Sequence, residues 1–231
     1  MKIDEKKTAA IITAGGSGLR MGGNLKKQYI ELAGYPILYY SIKLFSDAGF
    51  TNIILTLPEE DINFVRKSIL EKNNFDFVIT VSGGKTRHHS VYNGLKALKN
   101  AEYVFIHDAV RPFATQKIII ELYQSITSQN NFGAIPVIRI KDTLKFIKDG
   151  FTNGTLNRNE IAAVQTPQAF HIDKLINAYE LYENDLAIFT DDAAIMEKSG
   201  CAIFAVEGDY NNIKITTSED LKLAEYMILR K

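Results

Sequence analysis

Residues 9–29, AAIITAGGSGLRMGGNLKKQY, hold the chain's densest set of groups that could do chemistry. The run opens apolar with Ala9, Ala10, Ile11 and Ile12, then brings Gly15, Gly16, Gly18 and Gly22, with Arg20, Lys26 and Lys27 among or behind them. A buried strand that runs into a glycine loop backed by cations suits a phosphate. Glycine lets successive backbone N–H groups converge on an anion, and a helix start behind the loop adds to that field. Neither common nucleotide loop is matched. Gly16 and Gly18 form a Gly-x-Gly pair, but Met21 stands where a dinucleotide fingerprint has its last glycine. Gly18 and Gly23 have Walker spacing, but Asn24 stands where that motif needs lysine. On local pattern alone, a tight turn after a strand is the ordinary alternative.

Asp108 is the strongest candidate metal ligand, because it ends an apolar strand within YVFIHDAVRPF, residues 103–113. Magnesium takes a carboxylate together with phosphate oxygens and water. His107 suits that ion less. His88 and His89 are adjacent on one expected helix and cannot readily face a single metal, so neither is assigned to one. Asp191 and Asp192 could bind a cation, but their place at a helix start makes capping the ordinary role. Arg20, Lys27, Arg87, Arg111, Arg158 and Lys214 all fall at strand ends or in connections. Each alone reads as a solvated surface cation. Together with Asp108 and a second glycine pair, Gly83–Gly84, they suit a nucleotide and a second phosphorylated substrate. No Ser–His–Asp set or nucleophile elbow is evident. Nucleotidyl transfer needs no protein nucleophile when the acceptor carries its own phosphate. The protein must align the two and stabilise charge on the α-phosphorus and the leaving pyrophosphate.

The elements that must position these groups alternate. Residues 9–13, 52–58 and 76–81 read as strands. Residues 36–49 and 59–72 read as helices, the first opened by Pro36 and closed by Gly49, with Ile37, Ser41, Leu44, Phe45 and Ala48 on one face. SGGKTRHHSVYNGLKAL, residues 82–98, repeats the opening pattern of strand, paired glycines and helix. A strand ending at Asp108, the helix TQKIIIELYQSI and the strand GAIPVI make another unit. Such alternation favours a mostly parallel sheet covered on both faces, with ligands at the carboxyl ends of its strands. Both glycine loops and Asp108 fall at such ends.

The alternation breaks after residue 138. Residues 139–156 read as a hairpin arm with an Asp149–Gly150 turn. An arm with little core of its own needs a surface to lie on, either a second subunit or its own domain. Beyond it, 173–182 and 190–200 read as helices, the latter capped by Thr190. CAIFAVEG and NNIKIT read as strands, and SEDLKLAEYMILRK as a closing helix capped by Thr217 with Asp220, its Leu221, Leu223, Ala224, Met227 and Ile228 turned inward. No linker interrupts the chain, so residues 1–231 read as one domain with the arm inserted.

Composition limits the partners. The 231 residues are 46% hydrophobic and 23% charged, with 27 acidic and 27 basic side chains. That balance gives no general case for binding nucleic acid or an anionic membrane. Cys201 is the single cysteine, which leaves no intrachain disulfide. No eighteen-residue apolar run and no secretory signal is present, so a cytoplasmic location is expected.

Seven motifs in order carry a resemblance: AGGSGLRMG with KKQY, SGGKTRHHSV with NGLKAL, IHDAVRPF, KDTLKF, NR before QTPQAF, TDDA, and VEGDYNNIKITTSEDL. From about residue 9 to residue 228 the chain resembles the bacterial 2-C-methyl-D-erythritol 4-phosphate cytidylyltransferases, the IspD family. The resemblance implies an α/β, Rossmann-like three-layer αβα nucleotidyltransferase fold with a mostly parallel twisted sheet and a protruding β-hairpin arm. It implies that CTP and methylerythritol phosphate give CDP-methylerythritol and pyrophosphate, with Mg2+, in non-mevalonate isoprenoid synthesis. By the same resemblance Gly15, Gly16, Gly18 and Arg20 match the triphosphate loop, and Lys27 a lysine that reaches the phosphates. Gly84 and Ser90 match positions that recognise cytosine, Asp108 the magnesium ligand, and Lys214 a lysine near the reacting phosphate. Arg111, Thr143, Arg158 and Thr166 match positions around the acceptor. The family's arm crosses to a partner, which implies a homodimer in which Thr143 and Arg111 serve the neighbouring site.

Departures stand beside the matches. Lys26 replaces the proline of the family's PKQ segment, Val110 an alanine, and Asn157 an acid before Arg158. Asn211 stands where an acid often precedes NIK. The AGG loop and HDAVRPF also suit ribitol-5-phosphate cytidylyltransferases, while TDDA and QTPQAF favour the branched acceptor. A non-catalytic nucleotide-binding domain is the remaining alternative.

Overall fold

The computed structural model describes residues 3–16, 26–128 and 131–230. Strands β1 (Thr8–Thr13), β4 (Ile53–Leu57), β5 (Ile79–Ser82) and β6 (Tyr103–Asp108) are parallel neighbours in the order β6-β1-β4-β5. Between β1 and β4 lie a two-residue hairpin, β2 (Glu31–Leu32) and β3 (Tyr35–Pro36), and helix α1 (Ile37–Asp47). The sheet alternates strictly. Ala10 and Ile12 of β1, Ile53 and Leu55 of β4, and Phe105 of β6 face one layer, while Ile11, Ile54, Val104 and Ile106 face the other. The first layer is α1, α2 (Ile62–Val65) with its continuation, and α4 (Gln116–Ser128). The second is α3 (Arg87–Ala97), α5 (Ile172–Leu181) and α6 (Asp192–Lys198). The result is the three-layer, Rossmann-like arrangement expected.

The far half of the sheet departs from simple alternation. Strand β7 (Gly133–Arg139) carries β12 (Ile203–Glu207) parallel on one edge. On its other edge it takes β10 (Ala162–Val164) and β11 (Gln168–His171), both antiparallel. Strand β11 also pairs antiparallel with β6, so a reversed strand sits between two that share a direction. The break at residues 165–167, with a cis Thr166–Pro167 bond, brings Thr166 beside Asp108. Strands of three and four residues are too short to show a period in the sequence.

The arm is β8 (Lys145–Lys148) and β9 (Phe151–Thr155), a separate two-stranded sheet. Asp149 and Gly150 make its turn with φ of 50° and 84°, the pair of left-handed residues a tight hairpin needs. Phe146, Ile147 and Phe151 are exposed on it.

Four local readings are corrected. Residues 59–72 are not one regular helix. A 3-10 turn (Glu59–Asp61) leads into α2, then a π turn (Arg66–Leu70) and another 3-10 turn (Glu71–Asn73), although Val65, Ile69 and Leu70 are buried on one side. NNIKIT makes no strand ladder: Asn211 lies in a turn and residues 212–216 take no regular form. The Ile215 N–H donates to the Val110 carbonyl of the neighbouring loop at 2.9 Å. Helix α6 is capped by Asp191, whose carboxylate accepts from the Ala194 N–H at 2.9 Å, not by Thr190. Helix α7 (Ser218–Ile228) has the expected capping box of Thr217 and Asp220, but Leu223 is exposed. The helix packs through Ala224 onto Leu32, Ile37, Val110, Phe113 and Ile215 rather than onto the sheet.

Candidate active site

Parallel register places Thr13, the last residue of β1, opposite Asp108, the last of β6. Two cavities open at this carboxyl edge. The first, about 410 Å³, is lined by Thr13, Gly15, Gly16, Lys27, Gly84, Lys85 and Ser90, among others. The second, about 430 Å³, is lined by Arg111, Gln165, Thr166, Gln168, Thr190, Asp191 and Glu197, among others. Arg87, Asp108 and Lys214 line both and form the wall between them.

The first cavity is rigid on two sides. The fully buried Gln28 donates its amide to the carbonyls of Ala14 at 2.7 Å and Gly16 at 3.3 Å, which fixes the start of the glycine loop. Opposite, the Gly84 N–H donates to Ser90 Oγ at 3.0 Å, and that hydroxyl donates to the Thr86 carbonyl at 3.1 Å. Thr86 caps α3 by accepting from the His89 N–H. A Cβ at position 84 would collide with His89, so this turn requires glycine.

The wall is a charge network. Asp108 Oδ1 accepts from Arg87 Nε at 2.9 Å, and Oδ2 from Lys214 Nζ at 2.6 Å. Burial alone would raise the Asp108 pKa, but Arg87 and Lys214 overcome it and hold the carboxyl well below the usual range. Arg87 stays charged because Asp192 and Asp108 outweigh the opposing effect of burial. The adjoining hydrogen bonds fix His107. The Asp108 N–H donates to Thr166 Oγ1 at 3.1 Å, which lies 3.1 Å from His107 Nδ1, while His107 Nε2 lies 3.3 Å from the Arg111 carbonyl. A carbonyl only accepts, so Nε2 carries the proton and the Thr166 hydroxyl donates to Nδ1. Burial pushes the His107 pKa down to about 4, and the ring is neutral.

In the second cavity, Arg111 donates from Nη1 to the Asn212 carbonyl at 2.8 Å, and its buried Nε has no partner. Burial lowers its pKa. Arg111 lines this cavity together with Asp108 of its own chain. Gln168 donates to Asp191 Oδ2 at 2.7 Å and accepts from the Ala193 N–H at 3.3 Å, joining β11 to α6.

Of the residues singled out from sequence, Gly15, Gly16, Lys27, Gly84, Ser90, Asp108, Arg111, Thr166 and Lys214 come together around the two cavities. Gly18 and Arg20 lie outside the described residues. Thr143 and Arg158 line neither cavity. Both are exposed at the base of the arm, where Arg158 Nη1 donates to the Lys141 carbonyl at 3.1 Å. Lys26 adds no cation to the first cavity, because its ammonium bonds Asp61 at 2.7 Å and Glu60 at 2.9 Å. Sequence reasoning missed Gln28, whose only signal was its place after two lysines. Asp192 does stand in the first turn of α6, but its bonds to Arg87 and to Tyr179 carry no sequence signal.

Among the described residues no cluster of three His, Cys, Asp or Glu side chains could hold a metal with protein ligands alone. A single carboxylate at the wall does fit magnesium, which takes one or two carboxylates and completes its shell with phosphate oxygens and water. No helix among the described residues is long and apolar enough to cross a membrane.

Comparison with known proteins agrees with this geometry. The family model described as 2-C-methyl-D-erythritol 4-phosphate cytidylyltransferase matches residues 8–231. A relative of that name from Clostridium botulinum is 43% identical over 225 residues, covering 96% of this chain and 99% of its own. The crystal structure of 4-diphosphocytidyl-2C-methyl-D-erythritol synthase from Anaerococcus prevotii superposes with a TM-score of 0.85 at 35% identity, covering 99% of each chain. The Francisella tularensis 2-C-methyl-D-erythritol 4-phosphate cytidylyltransferase superposes with a TM-score of 0.81 at 32% identity, covering 95% of this chain and 99% of that one. With cavity, wall and loop arranged on that shared fold, the chain belongs to the IspD family of 2-C-methyl-D-erythritol 4-phosphate cytidylyltransferases.

Proposed function

We propose that this chain transfers the cytidylyl group of CTP to 2-C-methyl-D-erythritol 4-phosphate, giving CDP-methylerythritol and pyrophosphate. The observation that carries this reading is the pair of cavities sharing one charged wall. A transfer between two phosphorylated substrates needs two pockets that meet where the phosphorus reacts.

CTP occupies the first cavity, its base against Gly84 and Ser90 and its phosphates toward Gly15, Gly16 and Lys27. The family resemblance adds Gly18 and Arg20 to that loop. Methylerythritol phosphate occupies the second, its phosphate directed to the wall by Arg111 and Lys214. An oxygen of that phosphate attacks the α-phosphorus of CTP. The bond to the β-phosphate oxygen breaks, and pyrophosphate leaves with the electron pair. The acceptor phosphate is already anionic, so no general base is required. Lys27, Lys214 and Arg87 stabilise charge that grows on the transferring and leaving oxygens. Magnesium, bound with the nucleotide through Asp108, would supply further neutralisation of phosphate charge.

The chain acts as one domain and a homodimer, with the arm laid on a second copy. The exposed Phe146, Ile147 and Phe151 support that reading, since an isolated hairpin gains little from solvent-facing aromatics. Thr143 and Arg158, which line neither cavity of their own chain, then complete the partner's acceptor pocket. A cytoplasmic location fits a reaction on soluble phosphorylated substrates.

Pyrophosphate release from CTP, measured with and without methylerythritol phosphate, tests the reading. Turnover that requires both substrates is expected. Tight CTP binding with no turnover on methylerythritol phosphate would overturn it.

A further inference from the structure

A guanidinium beside a carboxylate ordinarily pairs as a fork, with two parallel N–H···O bonds. Arg87 does not. It gives Nε to Asp108 Oδ1 at 2.9 Å and Nη1 to Asp192 Oδ2 at 2.7 Å, so two carboxylates divide it. Asp192 is wholly buried in the first turn of α6, and its other oxygen accepts from the Tyr179 hydroxyl at 2.6 Å. Tyr179 is itself fully buried on α5, its ring stacked on Tyr92 with centroids 5.6 Å apart and planes 17° from parallel. A chain of three side chains thus runs from the packed helical layer to the wall between the cavities. Each member is immobilised by the one behind it.

We infer that Asp192 and Tyr179 are positioning residues for the transfer, fixing the Arg87 guanidinium and, through it, the Asp108 carboxylate at the wall between the two cavities. The inference rests on the cytidylyl-transfer reading above. Without Asp192, Arg87 has one anionic partner left and turns both prongs onto Asp108. The carboxylate then rotates, and Lys214 and phosphate-bound cations lose the lone pairs they need. With Asp192 holding Nη1, Asp108 receives a single bond from Arg87 and keeps the rest of its acceptor capacity toward the cavities. Tyr179 prevents Asp192 from turning away. A buried ion pair could instead serve only to join α3 to α6, so the test must separate positioning from gluing.

The variants are Tyr179→Phe, Arg87→Lys and the two combined. Steady-state kinetics with CTP and methylerythritol phosphate are measured beside thermal melting. Tyr179→Phe removes one oxygen from a packed position. It is expected to lower kcat about tenfold while KM for each substrate changes by less than about twofold, the pattern of an interaction that matters in the transition state. Arg87→Lys lowers kcat by itself, and adding Tyr179→Phe to it lowers kcat no further, because the tyrosine acts only through the arginine. Multiplying losses in the double variant overturn the inference. So does an unchanged kcat in Tyr179→Phe, whatever its melting temperature. Should Tyr179→Phe not fold, Asp192→Asn with the same Arg87→Lys cycle carries the same two outcomes. No turnover by the unsubstituted protein overturns the cytidylyl-transfer reading, and this inference with it. Turnover by the unsubstituted protein with either adverse result above overturns the inference alone.

Discussion

Lys214 Nζ stands 2.6 Å from Asp108 Oδ2, joining residues 106 positions apart in sequence. The aspartate is nearly buried, whereas the lysine side chain is 41% exposed. Asp108 is therefore fixed and Lys214 can be re-aimed toward a phosphate. Replacing Lys214 by alanine removes a charge aimed at the wall. It should cost about 3 kcal/mol of transition-state stabilisation, roughly a hundredfold in kcat, without unfolding the protein. A kcat within twofold of the parent, with an unchanged melting curve, would remove Lys214 from the mechanism.

Stability should fall in acid earlier than carboxylates alone would dictate. His107 has its pKa lowered to about 4 by burial, against an ordinary value of 6.5. Below 6.5 the unfolded chain takes a proton that the folded ring refuses, so stability declines as pH falls from 6.5 towards 4. Full linkage over that window is roughly 3 kcal/mol. Asp108, held far below its ordinary value of 3.8, contributes stability above that value and loses it as pH falls further. Denaturant midpoints between pH 7 and pH 4.5 should drop for the parent and drop less for His107→Asn. Parallel curves would show that His107 does not titrate this way.

Mixed dimers should separate the residues of one chain's cavity from those of the arm. Arg158→Ala damages the arm and Arg111→Ala the cavity. If arms serve the partner, a heterodimer of the two variants holds one undamaged site. It should then recover a large part of half the parent activity, while each homodimer stays impaired. No recovery in verified heterodimers would place Arg158 in its own chain's site, and a fully active monomer would remove the dimer altogether.

Lys26 should act on stability rather than on chemistry. Its ammonium holds Asp61 and Glu60, and its φ of −63° is one that proline adopts without strain. Lys26→Ala is expected to lose about 0.5–1 kcal/mol. Lys26→Pro should recover part of it by restricting the unfolded chain, worth about 0.4–1 kcal/mol. The check is the denaturant midpoint of all three proteins, with kcat changing by less than twofold in each.

Acceptor choice should favour the branched, shorter polyol phosphate. Ile135, Val164, Ala193 and Ala194 lie in the second cavity beside its polar groups. Apolar contact with one methyl discriminates by only about 1–3 kcal/mol, so a preference of ten- to hundredfold in kcat/KM over ribitol 5-phosphate is expected. A preference for ribitol 5-phosphate under the same magnesium and salt would reassign the acceptor and leave the transfer chemistry intact.

The near half of the sheet and its ligand edge were legible because β1 and β5 lead into paired glycines and β6 ends on an acid. Asp108, Gly84 and Lys27 could be named from that pattern. The antiparallel insertion of β11 was not legible, since four residues beside a proline carry no period and their partners are far away in sequence. Tyr179 was hidden for another reason. Its ring belongs to the apolar face of α5, so nothing distinguishes it from core until its hydroxyl is seen on Asp192. Gln28, a polar residue after two lysines, gives no sign in sequence of being buried, yet it is, with its amide satisfied by the carbonyls of Ala14 and Gly16.

The common wall has a thermodynamic consequence. Lys214 is one ammonium facing two anionic ligands, and whichever engages it first alters the field the other meets. Linkage makes that influence mutual: the factor by which nucleotide changes acceptor affinity equals the factor by which acceptor changes nucleotide affinity. An inert anion seated only in the second cavity would therefore register in nucleotide titrations, although it never touches the glycine loop.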